Sequence, residues 1–279
     1  MKKDQHRRSA LVYHAKPKPG KTEVIPTKNY RTQRDLSLAY SPGVAHPCLE
    51  IEKEKASVYK YTNKGNLVAV ISNGTAVLGL GDIGPIASKP VMEGKALLFK
   101  IFAGIDVFDI EVDAKDPEQF IKTIKAISPT FGGINLEDIK APEAFKIERR
   151  LQEELDIPVM HDDQHGTAII SCAALLNAAE LSQKKMEDLK VVVSGAGAAA
   201  ISCSKLYMAF GVHKKHILMV DSKGVIRADR EQLTPEKAFF ATQEKIDTLV
   251  DAVKGADVFI GLSKPKLLTV EMLYSMAKN

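Results

Sequence analysis

"LKVVVSGAGAAAISCSKLYMAFGV", residues 189–212, reads as strand, glycine turn and helix, and "HILMVDSKG" (216–224) follows as a second strand. The apolar run ending at Ser194 feeds the pattern G-x-G-x-x-A at 195–200. A proline-free helix of Ala, Ile, Leu and Met comes next, and Asp221 closes the second strand about twenty residues after the fingerprint. That order of parts is a dinucleotide-binding unit. Gly195 makes the tight turn, Gly197 lets the backbone approach a pyrophosphate, and Ala200 lets helix and strand pack closely. Ala198 belongs to the same turn, where the helix N-terminus faces the phosphates. A glycine turn in an unliganded α/β unit is the bland alternative.

The same pattern occurs earlier, in "GLGDIG" (79–84), without that context. Pro85 and Pro90 follow at once, so no long unbroken helix is expected there. The segment reads as a loop that brings backbone N–H groups and Asp82 near a site. Strands are expected over 66–72, 105–113, 132–139 and 157–160, alternating with helices over 117–128 and 142–155. A short helix, a break at Ser41-Pro42-Gly43 and a second helix precede them, after a lead-in of about thirty residues that reads as an irregular arm. Alternation of this kind implies an α/β fold with mostly parallel sheets. The texture changes in or near the helix after Gly166. The division is therefore expected as an N-terminal substrate and metal domain, 1–164, and a Rossmann-like domain, 165–279. Only three strands are legible after residue 190, in "VVVS", "ILMV" and "DVFIG", against about six in a full dinucleotide sheet. The second domain thus reads as incomplete, as if the chain were the front part of a longer enzyme.

Composition bounds the function. The 279 residues are 45% apolar and 27% charged with a net charge of +4, and Lys and Arg are spread along the chain. Nucleic-acid binding would call for a clustered basic face. Cys48, Cys172 and Cys203 are odd in number and far apart, which suits a reducing cytosol better than a disulfide framework. No apolar segment follows the basic N-terminus, and the longest apolar run, "TAIISCAALLNAA", is too short to span a bilayer. A soluble, cytoplasmic protein is expected.

Acids gather at expected strand ends: Asp82, Glu137-Asp138 in "INLEDI", and Asp162-Asp163 in "HDDQH". Ligands of α/β sheets bind beyond the carboxyl ends of strands. Carboxylates crowded there repel one another unless a cation neutralises them, and oxygen donors suit Mg²⁺ or Mn²⁺. Solvated loops and helix caps are the competing reading. His161 and His165 read as loop hydrogen-bonders rather than ligands. Tyr40, before the S-P-G break, and Lys95, ahead of an apolar helix, are a candidate acid and base that spacing alone supports weakly.

Several segments in order, "QRDLSLAYSPGVA", "NGTAVLGLGDIGP", "KPVMEGKALLFK", "FAGIDVFDIEV", "PTFGGINLEDIKAPE", "IPVMHDDQHGTAII" and "VVVSGAGAAAI", resemble the bacterial malic enzymes. The likeness is to the NADP-dependent type often fused to a phosphotransacetylase-like domain, and it runs from about Tyr13 onward. It implies oxidative decarboxylation of malate to pyruvate and CO₂ with reduction of NADP. It also implies Tyr40 and Lys95 as catalytic residues, Glu137, Asp138 and Asp163 as ligands of Mg²⁺ or Mn²⁺, and Asp162 as a supporting acid. A homodimer or higher homo-oligomer is implied as well. Two features depart from the family pattern: Lys264-Pro265-Lys266 stands where small residues are usual, and the chain stops before an expected further strand. A fragment or regulatory relative that binds metal or nucleotide without turnover is the alternative. Asp221 argues for NAD, because an acid there usually binds a ribose hydroxyl. Ser222 and Lys223 argue for NADP, and the resemblance favours it.

Overall fold

The computed structural model describes residues 2–278, in two compact units: one up to Ile139 with Ile147–Met160, the other Lys140–Lys146 with His161 onward. The first unit opens with α1 (Lys2–Ala15), α2 (Gln33–Ala39), α3 (Ala45–Lys53) and α4 (Val58–Tyr61). Helix α1 corrects the expected irregular arm. No Gly or Pro interrupts it before Pro17, and its Ala and long charged side chains are good helix formers. The break at Ser41-Pro42-Gly43 falls between α2 and α3 as expected, and α2 starts in a capping box in which Thr32 and Asp35 exchange hydrogen bonds. Helices α2, α3 and α4 bury no residue.

The first sheet has the strands β1 (Leu67–Ser72), β2 (Asp106–Glu111), β3 (Gly133–Leu136) and β4 (Val159–His161) in the order β2-β1-β3-β4, with the helices α5 (Gly84–Ala103), α6 (Pro117–Ile127) and α7 (Glu143–Glu154) between them in the chain. Strand β1 runs parallel to β2 and to β3. Its residues Leu67, Ala69, Val70 and Ile71 are all nearly fully buried, as a central parallel strand requires. Helix α5 corrects a second expectation. It opens at Gly84, the last residue of the first glycine pattern, and runs for 20 residues. Pro85 sits in its first turn, where no N–H is needed, and Pro90 removes one internal bond without ending the helix.

Helix α6 is capped by the Asp116 side chain and buries Phe120, Ile121 and Ile124 on one face. Phe120 is 0% exposed, so Phe120→Ala should destabilise this unit by about 3–5 kcal/mol. The urea midpoint of unfolding would fall with its slope unchanged. A midpoint within error of the parent would show that Phe120 is not a core residue.

The second unit contains α8 (Asp162–Leu181), β5 (Val191–Ser194), α9 (Ala198–Ala209), β6 (Ile217–Asp221), β7 (Gly224–Val225), α10 (Pro235–Phe239), α11 (Leu249–Ala252), β8 (Val258–Gly261) and α12 (Val270–Ser275). Its sheet has the order β7-β6-β5-β8, with β5 parallel to β6 and β8 and the two-residue β7 antiparallel to β6. The three expected strands are present, and β7 adds a fourth, too short to show in the apolar pattern. Helix α8 starts at Asp162, not at Gly166, so both aspartates occupy its first turn, where the helix dipole favours them. No helix among the described residues is long and apolar enough to cross a membrane.

Small side chains let α8 and α9 meet closely. Ala168, Cys172, Leu175 and Ala179 share a core with Ala200, Cys203 and Tyr207. All three cysteines are free thiols, and burial pushes the Cys172 and Cys203 thiols up. Tyr207 is 0% exposed, and burial pushes its hydroxyl up to about 12. The folded unit therefore favours the neutral phenol more than the unfolded chain does, whose tyrosines titrate near pH ~10. That stability is complete below pH ~10 and falls as the pH rises toward the folded value, by about 1.4 kcal/mol per unit. Urea unfolding between pH 10 and 12 should show this loss in the parent and not in Tyr207→Phe. Equal losses in both would remove Tyr207 from the account.

Candidate active site

Parallel strands in one sheet send the loops after their carboxyl ends to one edge. In the first unit, Ser72 ends β1 and Leu136 ends β3. Glu137 continues the pairing, its N–H donating to the Ile71 carbonyl at 3.0 Å, and Asp138 turns away with φ 54°. A non-glycine residue in that left-handed region costs on the order of 1–3 kcal/mol and persists where its surroundings enforce it. Here the Asp138 carbonyl accepts the Ala76 N–H at 3.0 Å, which joins the loop after β3 to the loop after β1. The loop after β1 needs Gly74, with φ 65°, because a Cβ there would lie 2.2 Å from the Gly84 carbonyl oxygen.

Glu137 and Asp138 are 5% and 4% exposed. The Asn135 amide donates to Glu137 Oε2 at 2.9 Å, and Lys95 Nζ stands 3.2 Å from Glu137 Oε1. Lys95 comes from the middle of α5, not from ahead of a helix as expected, and its side chain is 22% exposed. The sheet edge thus joins Lys95, Glu137 and Asp138. Adjacent buried carboxylates offering only oxygen form a donor set that fits a hard divalent cation.

Two expected residues lie apart from that group. Tyr40 caps the C-terminus of α2, its backbone N–H donating to the Leu36 carbonyl at 2.9 Å, and the residue is 76% exposed. Asp82 pairs with Lys115 at 2.8 Å, both at the surface.

In the second unit, Asp162 and Asp163 open α8. The Asp162 carboxylate lies over Gly166: a Cβ there would come within 2.4 Å of Oδ1. His161 is fully buried as the last residue of β4, so it is not the loop residue expected, and its Nε2 is 3.6 Å from Asp163 Oδ2. Asp163 follows β4 by two residues, a chain reach of at most about 7 Å.

The glycine turn lies between β5 and α9. Gly195 has φ 132°, and a Cβ on it would lie 2.7 Å from the Leu262 carbonyl oxygen. Gly197 caps α9 and borders open space, since a Cβ there would meet nothing within 4 Å. Ala198 begins α9, and Ala200 is buried in the core. Asp221, at the end of β6, pairs with Arg230 at 3.0 Å and Lys237 at 2.9 Å. Burial would raise its carboxyl, but the hydrogen bonds from Arg230 and Lys237 outweigh burial and hold it well below the usual carboxylate range. Ser222 and Lys223 follow, both exposed. Sequence reading missed Arg230, Lys237 and Asn135. Only Asn135 had a local signal, an amide two residues before Glu137 on a buried strand.

The family model described as the malic enzyme N-terminal domain matches residues 19–152, and that described as the malic enzyme NAD-binding domain matches 164–279. The crystal structure of the NAD-dependent malic enzyme of Thermotoga maritima superimposes with a TM-score of 0.90 at 42% identity, covering 97% of this chain and 72% of that one. The chain belongs to the malic enzyme family. Another malic enzyme, from Pyrococcus horikoshii, matches with a TM-score of 0.93 at 42% identity over 98% of this chain and 66% of its own. The NADP-dependent malic enzyme of Escherichia coli is 61% identical over 99% of this chain. The chain spans 36% of that relative's length. The α/β reading and the dinucleotide-binding reading of residues 189–224 accord with this membership.

Proposed function

We propose that this malic enzyme family member oxidises malate and releases CO₂ to yield pyruvate, with reduction of NADP. Lys95 beside the buried pair Glu137 and Asp138 carries the reading, since it sets an amine against a divalent-cation donor set at a sheet edge. Glu137, Asp138 and Asp163 would serve as the carboxylate ligands of Mg²⁺ or Mn²⁺, as membership of the family implies. Asp162, held over Gly166, is the supporting acid. A bound divalent cation would act as a Lewis acid toward the hydroxyl and carboxylate oxygens of malate. A bound NADP would supply the acceptor for the hydride of C2.

The other roles belong to this chain's own groups. Lys95, as the neutral amine, accepts the C2 hydroxyl proton, and Asn135 keeps Glu137 in place beside it. After CO₂ leaves, Tyr40 gives a proton to C3, completing pyruvate. Gly195, Gly197, Ala198 and Ala200 admit the pyrophosphate to the α9 N-terminus, and Asp221, Ser222 and Lys223 face the adenosine ribose. We place the domain boundary at 164/165, the enzyme in the cytoplasm and the active form as a homodimer or larger homo-oligomer. The names of the relatives support NADP, although an NAD-dependent enzyme stands among them. Removing metal tests the reading. Chelator-treated protein should form no NADPH from malate, and Mn²⁺ should restore it. Undiminished turnover after complete metal removal would contradict the assignment.

A further inference from the structure

A cavity of about 150 Å³ opens within the second unit, at the amino ends of β5 and β6. The glycine turn follows the carboxyl end of β5, so the cavity and the turn lie at opposite edges of one sheet. Val191 pairs with Ile217, which sets Lys190 beside His216 on strands about 4.8 Å apart. Lys190, His216 and Lys215 all line the cavity. His216 Nδ1 lies 3.0 Å from the Glu187 carbonyl oxygen. A carbonyl only accepts, so that nitrogen holds a proton, and Nε2 is left for a second partner.

The carboxylates around Lys190 and Lys215 are largely engaged elsewhere. Asp257 Oδ2 accepts the Lys190 backbone N–H at 2.8 Å, and its Oδ1 takes the Lys184 ammonium at 2.6 Å. Asp251 receives Lys254 at 2.8 Å on one oxygen and the Thr248 hydroxyl at 2.6 Å on the other. Among the described residues neither the Lys190 nor the Lys215 ammonium has an ion pair, and Glu244 is the remaining acid of the lining. One carboxylate against two unpaired ammoniums leaves the rim positive. The floor is apolar: Val192 and Ala252 are buried core residues, and Leu218 and Ile246 pack against them. An apolar cavity of this size holds about six carbon atoms. A positive rim over an apolar floor complements a short aliphatic carboxylate, whose head takes charge-assisted hydrogen bonds while its chain covers the floor. A compact inorganic anion would leave the floor bare, and a second carboxylate would be buried against it without a partner.

We propose that this edge of the second sheet binds a small aliphatic monocarboxylate, with its head on Lys190 and Lys215 and its chain on Val192, Leu218 and Ala252. The site is separate from the glycine turn, and none of its residues takes part in the proposed reaction.

Ligand-observed NMR titration of the intact protein with valerate tests this. Valerate should bind with a Kd on the order of 1 mM. Valeramide keeps the chain without the charge, and acetate keeps the charge without the chain; each should bind at least about tenfold more weakly. The double variant Lys190→Gln/Lys215→Gln should lose valerate by about tenfold or more, with a urea midpoint matching the parent, since both side chains are exposed. Equal binding of valerate and valeramide would overturn the proposal, as would inorganic phosphate binding as tightly as valerate. Valerate binding unchanged in the folded double variant would overturn it too, and its displacement by malate would place that binding at the catalytic site instead.

Discussion

Lys95→Ala should lower malate-dependent NADPH formation by about 10²–10⁴, the usual cost of removing a positioned base. Lys95 is largely buried and within 3.2 Å of Glu137, so alanine leaves no other amine at that point of α5. The loss should fall on kcat, because Lys95 is assigned to proton transfer and not to holding malate. Tyr40→Phe should behave differently. It should still decarboxylate added oxaloacetate, while proton delivery to C3 becomes slow. Equal and small losses in the two variants would remove both roles. The 76% exposure of Tyr40 makes this the more demanding half of the comparison.

Asp163→Ala should abolish metal-dependent turnover and weaken Mn²⁺ binding by more than about 10²-fold, since loss of an outer-shell partner alone costs 10–100-fold. The fold should survive, because Asp163 is a first-turn residue of α8 and not a core residue. Asp138→Ala should lose Mn²⁺ to a similar degree. At that position alanine must also adopt the left-handed backbone that aspartate tolerates better. Asp163→Ala is therefore the cleaner variant. Calorimetric titration of Mn²⁺ that matches the parent would show that Asp163 is not a ligand.

Much of the architecture was readable because it rests on short-range patterns. Buried parallel strands appear as apolar runs, as in "LVAVIS" and "VVVS", and a strand feeding G-x-G-x-x-A into a proline-free helix has few other meanings. The misreadings share a cause. In the sequence Pro85 and Pro90 read as breakers, although a proline in the first turn costs no hydrogen bond and one further in can be outweighed by packing. Gly166 reads as the start of a helix, whereas its bare Cα makes room for the Asp162 carboxylate inside a helix already begun. The pairing of Asp221 with Arg230 and Lys237 joins residues that share no helical or strand period. The left-handed turn at Asp138 depends on a hydrogen bond to Ala76, from another loop. Such features arise only when the sheet brings distant segments together.

The central claim is the coupling of malate oxidation to decarboxylation, and product stoichiometry tests it most directly. With malate, NADP and Mn²⁺, the protein should form NADPH, pyruvate and CO₂ in equal amounts. NADPH with oxaloacetate and no CO₂, or binding of Mn²⁺ and NADP with no product at all, would contradict it.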